Sequence, residues 1–187
     1  MPSTATIYRA VRLTARSSAM LFAAAQATQS LGPRAAQAWR PLYLGFMAAH
    51  ATHFAVVARY AQITGGRALF PGGRNLNDVG GWPTVAAIYA LFAGLAATGW
   101  AAGASPSRRG PSIAGRIATG TIGAMFTGTY LGQLPRSGWN AVPAAIVAAA
   151  VLASLLTRGA AGHAGIHPSP ASARWVTDPT RATVPAP

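Results

Sequence analysis

Apolar residues along this chain gather into five long runs, about 13–31, 41–63, 83–103, 113–134 and 139–157, divided by short stretches rich in Arg, Gly and Pro. Each run approaches the ~20 residues that a helix needs to cross the hydrocarbon core of a bilayer. The first is the least apolar, because Arg16, Gln26, Gln29 and several hydroxyl side chains interrupt it. The second follows Trp39-Arg40-Pro41 and the third opens at Trp82-Pro83, with proline acceptable in a first helical turn. The fourth stops before Pro135, and the fifth runs from Trp139 to Arg158. Four of the five tryptophans therefore fall at predicted helix ends, where the amphipathic indole favours the membrane interface. Trp175 is the exception.

The pattern predicts an all-α fold, an integral membrane helical bundle of four to five transmembrane helices. Residues 1–12 form an N-terminal segment and 13–157 the transmembrane domain; 158–187 is a Pro/Ala-rich tail without apolar periodicity, expected to be disordered. The first 30 residues have the basic start and apolar stretch of a signal peptide or presequence. Their scattered Thr and Gln make a poor signal core, however, and a retained first helix is expected. The longest loop, 65–82, carries six glycines and Asp78 and is expected to lie at the interface. In the fourth run Gly115, Thr119, Gly123 and Thr127 recur every four residues, with Gly120, Ala124, Gly128 and Gly132 in a second row beside them. Small residues at this spacing let helix backbones approach closely, so this run is expected to be a packing helix.

Composition sharpens the membrane reading. Only 9% of residues are charged, against about a quarter in soluble domains. The 15 basic residues are all Arg, the only acids are Asp78 and Asp178, and the net charge is +13. Clustered cations of that number suit nucleic acid. Here the arginines instead punctuate the ends of apolar runs, where guanidinium groups reach headgroups or water. The expected partner is the lipid bilayer, with no nucleic acid. Arg9, Arg12 and Arg16, clustered at the first run, favour an N-terminus on the inside.

The sequence has no cysteine, no paired carboxylates, no Ser-His-acid arrangement with a credible acid and no dinucleotide fingerprint. Whether the protein is an enzyme stays open at this stage, and any reaction would have to be carried by a cofactor. The residues that stand out are His50 and His53, near the middle of the second run. On a helix they lie about 300° apart, nearly on one face. An ionisable group at that depth usually faces the bundle interior and has a partner or a function. Three readings compete: an axial ligand to haem iron, hydrogen bonds to Thr or Gln on neighbouring helices that specify packing, or a quinone or proton site. The other runs contain no His, so an opposite axial ligand would be Met125, a tyrosine or nothing. His163 and His167 have i, i+4 spacing but sit in the Gly/Pro tail and make a poor metal pair.

The succession "RLTARSSAMLFAAAQATQSLG", "WRPLYLGFMAAHATHF", "GGWPTVAAIYALFAGLAATGW" and "GRIATGTIGAMFTGTYLGQL" resembles the ferric reductase-like transmembrane domain, and within it small bacterial haem-binding membrane subunits. The resemblance covers about residues 9–157. The best matches are the arginine-rich entry to the first helix and the stretch at 46–53, where aromatic Phe46 and the small Ala48 and Ala49 lead into His50-x-x-His53. The resemblance implies haem b held by histidines on separate helices, moving electrons across the bacterial inner membrane. His50 and His53 carry over as candidate haem-side residues and iron ligands. Ala118 stands where the pattern has a histidine, which leaves Met125 as the candidate opposite ligand on the fourth run. No flavin or nicotinamide domain accompanies these helices, so the implied role is a membrane subunit serving a redox partner subunit. The alternative is a non-enzymatic membrane scaffold or assembly subunit that packs against partner helices. A small transporter is less favoured, because the runs contain no carboxylate and no inverted repeat is evident.

Overall fold

In the computed structural model, residues 3–31, 33–67, 74–104, 112–136 and 138–164 are described. Among these residues, regular structure is entirely helical. Five long helices follow one another: α1 (Thr4–Ser30), α2 (Trp39–Thr64), α3 (Gly81–Ala104), α4 (Ile113–Leu131) and α5 (Ala141–Ala164). One helical turn, Pro33–Ala36, bridges α1 and α2. Three stretches are long and apolar enough to cross a membrane: Arg34–Thr64, Gly81–Gly103 and Gly138–Thr157.

Local chemistry accounts for the ends. Helix α1 begins at Thr4, earlier than the apolar run that starts near 13, because Ser3 caps it: the Ser3 hydroxyl accepts the Thr6 N–H at 3.2 Å. Helix α4 is capped in the same way by Ser112, which accepts from Gly115 N–H at 3.1 Å. Helix α2 stops at Gly65, whose φ of +66° is left-handed backbone that glycine adopts without steric cost. Past it, Leu76 is buried and its N–H donates to the Gly66 carbonyl at 3.2 Å, folding the end of the loop back against the helix. The loop contains a short 3-10 turn, Asn77–Val79, where Asp78 accepts the Asn75 N–H at 2.7 Å. Helix α5 continues to Ala164, beyond the expected boundary at 157. Trp175 and His167 lie outside the described residues, as do the residues of the tail after 164.

The helices close into a ring, each packed against its neighbours in sequence, with α5 returning against α1. The broadest contact is between α1 and α2, which run antiparallel: Tyr8 meets Tyr60, Ser18 meets His50 and Phe22 meets Phe46 as the numbers rise along one helix and fall along the other. Phe22, Phe46, Phe92 and Phe126, one from each of α1 to α4, form the centre, with Phe46 to Phe92 at 5.9 Å and Phe22 to Phe126 at 5.8 Å. Tilted and edge-on pairs of this kind contribute beyond simple area burial. Val147 and Val151 complete the core from α5.

Polar positions that make the first run a weak span turn inward. Ser18 and Gln26 are buried, and Ser154 on α5 donates to Gln26 Oε1 at 3.2 Å. The tryptophans divide: Trp139 is 79% exposed as an interfacial residue would be, whereas Trp39 is 4% exposed. Trp39 stacks on Trp100 at 5.4 Å and lies against Gly103, while Tyr43 lies against Gly99 and donates to the Ala96 carbonyl at 3.0 Å. Two glycines one turn apart on α3 thus make room for two large rings from α2.

The two rows of small residues on α4 also part company. Gly115, Thr119 and Gly123 are buried, with Gly115 against Ala102 of α3 and Gly123 against Val151 of α5. In the second row Ala124, Gly128 and Gly132 are exposed, and a Cβ at Gly120 or Gly128 would meet nothing within 4 Å. Close packing is therefore a property of the first row. Replacing Gly123 with Leu should destabilise the detergent-solubilised protein by about 1–3 kcal/mol through overpacking. Gly120→Ala should instead be neutral or add up to about 1 kcal/mol through helix propensity. Thermal unfolding of both variants beside the parent checks this, and equal melting temperatures for the two would refute it.

Candidate functional site

A cavity of about 330 Å³ opens between α1, α2, α3 and α4. That volume lies within the range of small-molecule sites, near its lower end. Both histidines line it, as does Met125. The structure therefore brings together the three residues that the sequence singles out, from two different helices. Ala118 is buried on α4 and does not line the cavity. The side chain of His163 lies outside the described residues.

The histidines owe their positions to α1. Ser18 Oγ lies 2.8 Å from His50 Nδ1, and Thr14 Oγ1 lies 3.0 Å from His53 Nδ1. Thr14 and Ser18 are one helical turn apart on α1, so they meet the two rings three residues apart on the antiparallel α2. The Thr14 hydroxyl donates its proton to the Ala10 carbonyl at 2.8 Å. A hydroxyl so engaged can accept the Nδ1–H of His53. With Nδ1 as donor, Nε2 is left unprotonated, the form in which an imidazole binds metal or accepts a hydrogen bond. At His50 the serine hydroxyl can take either role.

Rings hold His50 on its other sides. Its imidazole stacks on Phe92 at 3.8 Å with 17° between planes, and Phe54 and Phe126 stand edge-on at 4.7 and 5.7 Å. The two imidazoles are 5.8 Å apart, centre to centre. No group of three or more His, Cys, Asp or Glu side chains that could hold a metal ion occurs among the described residues.

Part of the cavity lining is polar. Arg12, Arg16, Tyr130, Gln133 and Asn140 line it. Arg16 donates to Asn140 Oδ1 at 3.3 Å, and Asn140 Nδ2 donates to the Gln133 carbonyl at 3.1 Å. The rest of the wall includes Val57, Val85, Ile88 and Phe92. Thr14, Ser18, Phe92 and the arginine pair escape sequence reasoning as site residues. The i, i+4 spacing of Thr14 with Ser18, and of Arg12 with Arg16, is the signal that could have drawn attention to them.

For haem, the donor chemistry fits. An imidazole with its Nδ1 held by a second residue is the usual arrangement of a metal-ligating histidine. Met125 offers a thioether in the same cavity, and Arg12 and Arg16 offer cations for carboxylates. Comparison of the chain with protein-family models, curated proteins and solved structures finds no match.

Substituting Thr14 with Val removes the hydroxyl at nearly constant volume. It should release the His53 tautomer and cost about 1–2 kcal/mol, the scale of an interhelical hydrogen bond among apolar helices. Nitrogen NMR of the imidazoles checks the first expectation and thermal unfolding the second. Unchanged His53 resonances in Thr14→Val would show that α1 does not set the tautomer.

Proposed function

We propose that the protein is a multi-pass integral membrane protein of ferric reductase-like type, set in a bacterial inner membrane. It binds haem b and passes electrons to or from a partner subunit. Three helices have the length and apolarity to span. The reading of four to five spans adds α1 and α4, whose polar positions Ser18, Gln26 and Thr119 are buried inside the ring. Leu13, Leu44, Leu91, Ile117 and Leu152, from all five helices, are exposed on the outside. So many large apolar side chains facing outward suit lipid rather than water.

The observation that carries the cofactor reading is the tethering of both imidazoles by α1 hydroxyls at one cavity wall. In this reading His50 is the first candidate ligand and His53 the second, and Met125 is the candidate on the opposite helix. Ser18 and Thr14 orient the rings, Phe92 and Phe126 keep water from them, and the arginines balance negative charge. Bound haem would supply one-electron transfer. In this reading the chain works as a membrane subunit that serves a redox partner.

A second reading has its own support. The bonds from Ser18 to His50 and from Thr14 to His53 join α1 to α2, as the polar contacts of a purely structural bundle would. In that case the protein is a scaffold or assembly subunit packed against partner helices.

An absorption spectrum of detergent-purified, haem-supplemented protein separates the two. A Soret band lost in His50→Ala or His53→Ala supports the haem reading. Ser18→Ala and Thr14→Val should then weaken haem binding by about 10–100-fold, the usual effect of removing a group that orients a ligand. A colourless protein whose His50→Ala variant loses its partner on co-purification supports the scaffold.

A further inference from the structure

The polar part of the cavity lining contains donors and cations without a matching acid. Arg12 and Arg16, one turn apart on α1, both line it, and among the described residues no Asp or Glu does. The chain has only two acids to offer. Asp78 is engaged with Asn75 in the loop, and Asp178 lies outside the described residues. Beside the arginines stands Tyr130, 7% exposed, with its hydroxyl oxygen buried and unpartnered among the described residues. Asn140, almost fully buried, spends its carbonyl on Arg16 and its amide N–H on Gln133. It therefore holds the Arg16 guanidinium in place without neutralising it. Arg12 is exposed, but Arg16 is half-buried, and a guanidinium partly withdrawn from water beside an apolar space is costly unless an anion joins it. A phenol with no partner adds to that cost.

From these residues we infer that the cavity takes an amphipathic ligand whose carboxylate docks at Arg12, Arg16 and the Tyr130 hydroxyl. Its apolar body fills the space between Val57, Val85 and Phe92. The planar fork of an arginine suits a carboxylate, which it can grip through two parallel N–H bonds. Two sources present such a group in a membrane: the side-chain carboxylates of a porphyrin and a free fatty acid. The porphyrin source rests on the haem reading above; the carboxylate site itself does not.

The test uses the full chain in neutral detergent with three probes: haem, haem with both carboxylates converted to methyl esters, and a fluorescent fatty acid. Each is titrated against the parent, against Arg12→Gln/Arg16→Gln, and against Arg12→Lys/Arg16→Lys, with circular dichroism confirming the fold of each. If the site holds a carboxylate, the preferred acid binds the parent about tenfold or more tightly than it binds the double Gln variant, as expected for loss of a charge-assisted bond. The Lys variant recovers part of that difference. Haem that binds while its ester is about tenfold weaker assigns the porphyrin source. Fatty acid that binds while haem does not keeps the carboxylate site and overturns the haem reading. Haem and ester binding equally, with no effect of Arg12→Gln/Arg16→Gln on any probe, overturns the carboxylate site and leaves the haem reading standing. Should neither acid bind the folded parent, both are overturned. The ester comparison on the parent needs no variant, so it decides even if the Gln variant fails to fold.

Discussion

An imidazole placed inside an apolar bundle must find partners for its nitrogens, and the contact between α1 and α2 is built around that requirement. Ser18 and Thr14 meet His50 and His53 in register, and the same register brings Phe22 onto Phe46 and Tyr8 onto Tyr60. One antiparallel alignment therefore satisfies the polar pair and packs the aromatic core. Sliding α1 by a residue would rotate its hydroxyls away from α2 and take from both rings the partners they have on α1. The hydrogen bonds define the register, and apolar packing supplies most of the contact around them.

Size complementarity governs the remaining seams. Where α2 approaches α3 it does so through Trp39 and Tyr43, and α3 answers with Gly103 and Gly99. Helix α4 meets α3 through Gly115 and α5 through Gly123. Large rings facing glycines in one seam, and glycines facing Ala102 or Val151 in the others, let five helices surround a centre of four phenylalanines. The cavity lies beside that centre. Phe92 and Phe126 belong to both, so the packing of the core and the shape of the site are coupled.

Charge sets the character of the cavity more than shape does. A chain with 15 arginines and two acids cannot neutralise its cations internally. Among the described residues, Arg40, Arg59 and Arg116 lie near helix ends and are exposed, where solvent or headgroups can accept them. Arg16 is different, since it is half-buried and held by Asn140. Its position near Tyr130, with Arg12 one turn away, gives part of an apolar space a positive, donor-rich wall, while the tethered imidazoles of His50 and His53 line another part.

The five long helices were legible in the sequence because apolar run length, proline at first turns and Arg at the ends are local signals, although α1 starts earlier and α5 ends later than their apolar runs. His50 and His53 also stood out, since an imidazole in an apolar run is conspicuous on its own, and both line the cavity. Met125 was named only as a candidate opposite the histidines, and it took the packing of α4 to bring it to the same cavity. Other features depend on which face of one helix meets which face of another. Periodicity alone cannot choose between the two small-residue rows of α4, because both have the same spacing and similar volumes; contact with Ala102 and Val151 selects the first. Nor could the tryptophans be sorted, since Trp39 and Trp139 both stand at helix ends and only the glycines of α3 give Trp39 a place to be buried. The polar residues that weakened the first run looked like defects in a span. They became the seam with α2 and α5 once α1 was surrounded, because a side chain's cost or worth among apolar helices is set by the partner that faces it.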